Sequence, residues 1–281
     1  MSKTKLWSKV LLVFGLTVLM FFVLFPSFWL VISSLKPADE IFALIPTLWP
    51  KHPTLEGYQY AFTPSPGPEL MPYLLNSLQV AGYTALLTTL FAATGGYAIG
   101  RKRFPGMQAI IIFLMLAQMF QGPVIMVSWY RMAAQMKILN TLTGLVLIYL
   151  TSTIPISVWL MSGFFKGIPY ELEEAASIDG CSRLRTFWNV VLPLAKGGLV
   201  SIVIYAFILA WNDYQYALFL TNSKTAMTVQ LAIGQLMGSL GVINWGGIMA
   251  CGVIVTIPVI ILFGCIQRYL IEGLTAGAVK G

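Results

Sequence analysis

The sequence predicts an all-α polytopic membrane protein with six transmembrane helices, and three observations carry that expectation. Of 281 residues, 58% are hydrophobic and only 10% are charged, against about 25% charge in an ordinary soluble domain. The charges are bunched, which leaves uncharged stretches at 10–35, 70–100, 104–130, 138–165 and 225–267. Each exceeds the roughly 20 residues a helix needs to cross a bilayer. A further stretch, 197–223, is broken only by Asp213 and supplies the sixth span.

The elements follow in order. Residues 1–35 read as a short N-terminus and a retained first span over 10–32, because no small-x-small cleavage site follows the apolar run. Residues 36–72 hold eight of the fifteen prolines, a density that forbids a continuous helix. They read as an extended loop or short helices on the outer face. Residues 73–267 form the core, with spans at 73–99, 107–127, 142–164, 197–219 and 246–266. Gly95, Gly96 and Gly100 near the inner end of the second span let a neighbouring helix approach closely. Residues 268–281 form a C-terminal tail.

Positive charge sets the topology. With the N-terminus in the cytoplasm, twelve of the seventeen Lys and Arg residues fall on inside segments, so both termini are expected to be cytoplasmic. Trp129, Tyr130, Trp211, Tyr214, Tyr216 and Trp245 then lie near the outer boundary, as interfacial anchors do.

Several functions lack their residues. The net charge of +7 comes without a basic stripe interleaved with aromatics, so nucleic acid is not an expected partner. Three cysteines, with no C-x-x-C pair, exclude a disulfide scaffold and a thiol metal site. No P-loop and no H-E-x-x-H occur, and the only histidine, His52, sits in the proline-rich loop as a solvated residue. No catalytic residue and no metal ligand are expected.

The inside loop 166–196 differs from the others in being long, mixed in charge and helical in pattern. Pro169 can begin a helix, and Glu171, Glu173 and Glu174 complement the positive end of its macrodipole. Leu172, Ala175, Ala176 and Ile178 supply an apolar side. Gly180 can take positive φ and end the helix. A second helix starts near Ser182, with Leu184, Phe187, Trp188, Val191 and Leu192 at helical spacing, and Pro193 marks a kink into the fifth span. Read on its own, this is a helix-turn-helix on the cytoplasmic membrane face, or an amphipathic cap on the bundle.

The spacing adds a resemblance. Glu174-Ala175-Ala176, three residues, Gly180, nine residues, then Val190-x-Leu192-Pro193 resembles the E-A-A loop of the permease subunits of bacterial ABC importers, with Val190 in place of isoleucine. The C-terminal run from Gln267 to Gly281 is similar to the ending of the carbohydrate-importing, MalG-like branch. Ser34-Leu35-Lys36-Pro37, Asn76-Ser77-Leu78, Gly96-Tyr97-Ala98 and Trp211-Asn212-Asp213-Tyr214 extend the likeness nearly end to end.

The resemblance implies a type I ABC importer transmembrane domain whose loop 166–196 carries a cytoplasmic coupling helix. The chain would be a non-enzymatic permease subunit of a bacterial or archaeal cytoplasmic membrane, importing a di- or oligosaccharide by alternating access. Its partners would be a second, non-identical permease, a dimeric cytoplasmic ATPase that binds ATP and Mg, an extracytoplasmic sugar-binding protein, and membrane lipid. Glu174 would pair with a basic residue of the ATPase, Ala175 and Ala176 would give close contact, Gly180 the turn, and Leu192 and Pro193 the entry into the fifth span. The tail residues Leu274, Thr275, Gly277, Lys280 and Gly281 would reach between the ATPase subunits as extended backbone.

For a substrate path the polar candidates are Asn76, Gln79, Gln118, Gln121, Asn212, Asp213 and Tyr214, since sugars are held by amides and stacking rings, although helix-helix hydrogen bonds are an equal use for each. Asp213, sixteen residues into its span, is expected near the outer face. Alternatives are import of another polyol-like solute such as a glycerol phosphodiester, an ion-coupled secondary transporter built on Asp213, and a structural membrane scaffold.

Overall fold

The computed structural model describes residues 3–64, 67–102, 105–120, 123–238 and 243–278. Fourteen α-helices run through them, and no strand occurs among the described residues. They are α1 (Lys3–Ser34), α2 (Ala38–Ile41), α3 (Glu56–Phe62), α4 (Leu70–Arg101), α5 (Met107–Ala117), α6 (Pro123–Gln135), α7 (Leu142–Lys166), α8 (Glu171–Ile178), α9 (Arg183–Thr186), α10 (Leu192–Leu194), α11 (Lys196–Asn212), α12 (Gln215–Leu220), α13 (Val229–Gly238) and α14 (Trp245–Ala278).

Among the described residues four helices are each long and apolar enough to cross a bilayer: Ser8–Ser34, Leu70–Arg101, Leu142–Lys166 and Trp245–Gln267. One further pair, Arg183–Leu194 and Lys196–Asn212, is long and apolar enough only when taken together, and it is bent by 76° at the break. The bend lies at Pro193 and Ala195, where the expected kink falls. The third apolar stretch is not one helix. Where the sequence suggests a span over 107–127, the chain forms α5, a 3-10 turn at Gln118–Phe120, and α6. The fifth span also ends earlier than its uncharged run suggests, because the backbone turns extended at Asp213 and restarts as α12.

The chain divides into two compact units, Met1–Met71 with Ile233–Ile257, and Pro72–Ala232 with Pro258–Gly281. In the first, the proline-rich segment resolves into α2 and α3, as expected. Ser34 Oγ and the Tyr58 hydroxyl share a hydrogen bond of 2.8 Å. Gly57 lies so close to the start of α14 that a Cβ there would sit 2.6 Å from the Gly246 carbonyl oxygen. Lys36 is buried, its ammonium 4.6 Å from the Trp29 ring centroid and donating to the Thr47 carbonyl. The Glu40 carboxylate accepts from the backbone N–H of Lys51 (3.0 Å to each oxygen) and of His52 (2.9 Å). His52 is exposed, as expected of a solvated residue.

In the second unit α4 and α7 are in backbone-near contact along the glycine stripe. A Cβ on Gly96 would meet Met161 Cβ at 2.5 Å, one on Gly100 would meet Phe165 Cβ at 3.1 Å, and one on Gly95 Val158 Cγ2 at 3.3 Å. Higher up the same pair, Thr88 and Thr153 hydroxyls are buried and bonded at 2.6 Å. A core of Ala92, Ala93, Val158, Met161, Phe165, Phe187, Val191 and Ile202 joins α4, α7, the 187–191 turn and α11. Small residues dominate on the α4 side because lipid gives apolar side chains little reason to leave it, so packing contact itself must hold the helices.

Two outcomes follow. Gly96→Ala should cost about 1–3 kcal/mol through overpacking and lower the melting temperature in detergent, whereas Gly82→Ala on the same helix, with open space around it, should not. Backbone hydrogen bonds, that from Lys51 first, hold the Glu40 carboxyl below the usual carboxylate range. Its grip on 51–52 is therefore complete at neutral pH and is lost as pH falls through that lowered value. Amide-exchange protection at Lys51 and His52 should show this acid loss in the native chain, and Glu40→Ala should abolish the protection at every pH.

Candidate functional site

The loop between α7 and α11 is where sequence and structure converge. Helix α8 begins at Glu171, with Tyr170 as its N-cap, so Pro169 precedes the cap instead of occupying the first turn. It ends as expected at Gly180, whose φ of +80° is costly for any residue with a Cβ. There the Cys181 N–H reaches back to the Ala176 carbonyl at 2.9 Å and the Gly180 N–H to that of Ser177 at 3.1 Å, closing the helix end. Ser182 then caps α9, its hydroxyl accepting from the Arg185 N–H at 3.4 Å. Beyond it the chain widens into a π-helical turn at Phe187–Val191 before Leu192 and Pro193 enter the bend.

The face that α8 buries differs from the expected one. Its buried residues are Glu173 and Ala176, three apart and so on one side. Leu172, Ala175 and Ile178 are exposed, Ile178 at 87%, and Leu184 and Trp188 in the following helix are exposed too. The apolar residues thus point away from the bundle. Glu174 lies with them on the exposed surface.

Glu173 explains the inversion. Its Oε1 forms an ion pair with Arg101 Nε at 2.6 Å, with both side chains only 10% exposed. Its Oε2 accepts from the Tyr97 hydroxyl at 2.7 Å. The Tyr97 ring packs on Phe187 at 4.8 Å and edge-on to Phe165 at 5.6 Å, and Arg101 lies 5.8 Å from the Tyr170 ring. A charged carboxylate this deep is tolerated only when paired, so it fixes the rotation of α8. Sequence reasoning missed this centre. Arg101 counts there only towards topology and Glu173 only towards the macrodipole. The signal was the i, i+3 pair of Glu173 with the small Ala176. A groove of about 860 Å³ runs beside the pair, lined in part by Glu174, Ser177, Arg183 and Trp188.

The polar path candidates do not gather into one site. Asn76 is buried and donates from Nδ2 to the carbonyls of Lys224 (3.0 Å) and Met227 (2.9 Å), while Ser77 Oγ accepts from the Val229 N–H at 2.8 Å. These bonds stitch the 221–228 segment to α4. Gln79, Asn212 and Tyr214 are exposed. Gln118 donates to the Thr151 carbonyl at 3.1 Å, and Gln121 lies outside the described residues. Asp213 accepts from the Tyr149 hydroxyl (2.7 Å) and from the N–H groups of Ala217 (3.1 Å) and Tyr216 (3.4 Å), which makes it the cap of α12. In the tail, the backbone is helical through Ala278 and not extended at Leu274, Thr275 and Gly277. Lys280 and Gly281 lie outside the described residues. Among the described residues no group of three His, Cys, Asp or Glu could hold a metal.

Removing one partner of a buried ion pair strands the other. Glu173→Gln should therefore cost about 3–5 kcal/mol, read as a lowered unfolding midpoint in detergent, whereas Glu174→Gln on the exposed face should leave the midpoint unchanged.

Comparison with known proteins agrees with this architecture. The chain is 34% identical to the inner membrane ABC transporter permease protein YcjP of Escherichia coli over 267 residues, covering 95% of each chain. It is 34% identical to the diacetylchitobiose uptake system permease protein DasC of Streptomyces coelicolor, covering 99% of this chain and 98% of that one. The trehalose/maltose transport system permease protein MalG of Thermococcus litoralis is 34% identical, with 98% of each covered. In fold, it is similar to a chain in the crystal structure of a bacterial ABC transporter involved in the import of the acidic polysaccharide alginate. The TM-score is 0.81 at 20% identity, covering 96% of this chain and 98% of that one. Residues 5–275 match the family described as binding-protein-dependent transport system inner membrane component. With that match and these relatives, the chain belongs to this family of ABC importer permeases and is a multi-pass membrane transport subunit.

Proposed function

We propose that this chain is one of two non-identical permease subunits of an ATP-driven importer of a di- or oligosaccharide. An extracytoplasmic binding protein delivers the sugar, and a dimeric cytoplasmic ATPase, which holds ATP and Mg, drives alternating access. Both termini and the loop 166–196 are cytoplasmic in this reading, which rests on the distribution of Lys and Arg.

The observation that carries it is the inverted face of α8. Leu172, Ala175 and Ile178 of α8 are exposed, as are Leu184 and Trp188 after it, and exposed large apolar side chains in a loop between spans mark a protein contact. Glu174 lies among them, available to a basic group of the ATPase. Behind it, Glu173 anchors the same helix to α4 through Arg101 and Tyr97. A displacement of α8 by a closing ATPase is thereby passed to α4 and, through the 187–191 turn, to α11. The tail residues Leu274, Thr275, Gly277, Lys280 and Gly281 extend the ATPase contact. Gln79, Asn212 and Tyr214, which are exposed, are the path candidates best placed to meet a sugar. Carbohydrate is the supported cargo because the relatives DasC and MalG are named for diacetylchitobiose and for trehalose and maltose. The ion-coupled alternative needs a free acid in the spans, whereas the Asp213 carboxylate is occupied by Tyr149 and the α12 cap.

Purifying the tagged full-length chain from its native membrane should bring down a second permease, an ATPase and, with substrate, a binding protein that retains a sugar. Gly180→Pro, which forbids the positive φ of the turn, should abolish ATP-dependent uptake and ATPase recovery while membrane abundance stays at the native level. Uptake that persists without ATP in this variant would refute the reading.

A further inference from the structure

A second cavity, of about 910 Å³, opens where α4 and α7 end and α5 begins. Arg101, Lys102 and Lys166 line it, and no carboxylate does among the described residues. Lys102 and Lys166 have no ion-pair partner among the described residues. Arg101 Nε is ion-paired with Glu173 Oε1 at 2.6 Å, yet Nε and Nη2 are both buried without a hydrogen-bond acceptor among the described residues, an unfavourable state for guanidinium N–H groups. The N-terminus of the eleven-residue α5 adds to the field. Its N-cap, Gly106, has a φ of +88° and no side-chain cap bond, and Gly106, Met107 and Gln108 line the same cavity. Free N–H groups and the positive end of the macrodipole therefore meet three cations in one space.

We propose that this cavity binds a phosphate-bearing anion, and its position favours the head group of an acidic phospholipid. Arg101 and Lys166 terminate two apolar spans, and basic residues at span ends sit at head-group depth. An anion there neutralises Lys102 and Lys166, accepts from the α5 terminus, and lies beside the Arg101 guanidinium, leaving the Nε pair with Glu173 intact. The site goes beyond the transport reading, and its failure leaves that reading standing.

Native mass spectrometry of the full-length chain, with whatever subunits accompany it, tests this. Samples are supplemented in turn with phosphatidylglycerol, phosphatidylcholine or inorganic phosphate. Each cation near an anionic head group strengthens binding about fivefold, so the double variant Lys102→Gln, Lys166→Gln should lose phosphatidylglycerol adducts by roughly 25-fold. Phosphatidylcholine adducts should not change, and the variant Lys102→Arg, Lys166→Arg should retain phosphatidylglycerol. Displacement of the lipid by millimolar inorganic phosphate, with phosphate bound in its place, assigns the site to a soluble anion, and resistance to displacement assigns it to lipid. Equal phosphatidylglycerol retention by the native chain and the glutamine variant, or loss in the arginine variant as well, overturns the proposal.

Discussion

The arrangement of the end of the bundle that carries loop 166–196 depends on one buried carboxylate. Glu173 is shared by Arg101 and Tyr97, and each of those two partners is held by something else: Tyr97 by the rings of Phe165 and Phe187, Arg101 by the face of Tyr170. A charge in this position gains little net energy over a well-packed apolar group, but it tolerates no misplacement, because any rotation of α8 that exposes an apolar residue less would leave a charge unpaired. Specificity of orientation is what the pair supplies. It forces Leu172 and Ile178 outward, against the ordinary preference of apolar side chains.

That centre works only because the helices that carry it are held at a fixed spacing. Arg101 and Tyr97 sit on the last turns of α4, next to Gly96 and Gly100, where α4 meets Met161 and Phe165 of α7 nearly backbone to backbone. Phe165 belongs both to that contact and to the aromatic group around Tyr97. Close packing and the buried polar pair are therefore parts of one junction, in which the loop 166–196 and the two longest spans of the second unit share side chains.

Much of this was legible in the sequence, for identifiable reasons. The apolar runs of the first, second, fourth and last spans, the short helices of the proline-rich segment, the positive φ of Gly180 and the break near Pro193 are each dictated by local chemistry and appear where the residues place them. What escaped depends on neighbours distant in sequence. Periodicity cannot tell which side of α8 is inward when its partner is an arginine about seventy positions earlier. The polar groups of the spans were ambiguous for the same reason, and Asn76 and Asp213 turn out to be bound to backbone or tyrosine partners far along the chain. The division of the third apolar stretch at Gln118–Phe120 carries no breaker in the residues that form the turn, and only the Gly122-Pro123 pair before α6 hints at it.

The bend of 76° between Arg183–Leu194 and Lys196–Asn212 makes that pair of helices an elbow and not a rod. Force applied along the short arm arrives at the long arm nearly crosswise and so bears on α11 from the side. The π-helical turn at Phe187–Val191, with its wider and looser bonding, lies on the short arm just before the joint and gives that arm some torsional slack. A straight helix in this place would convert the same push into a piston stroke and move nothing laterally.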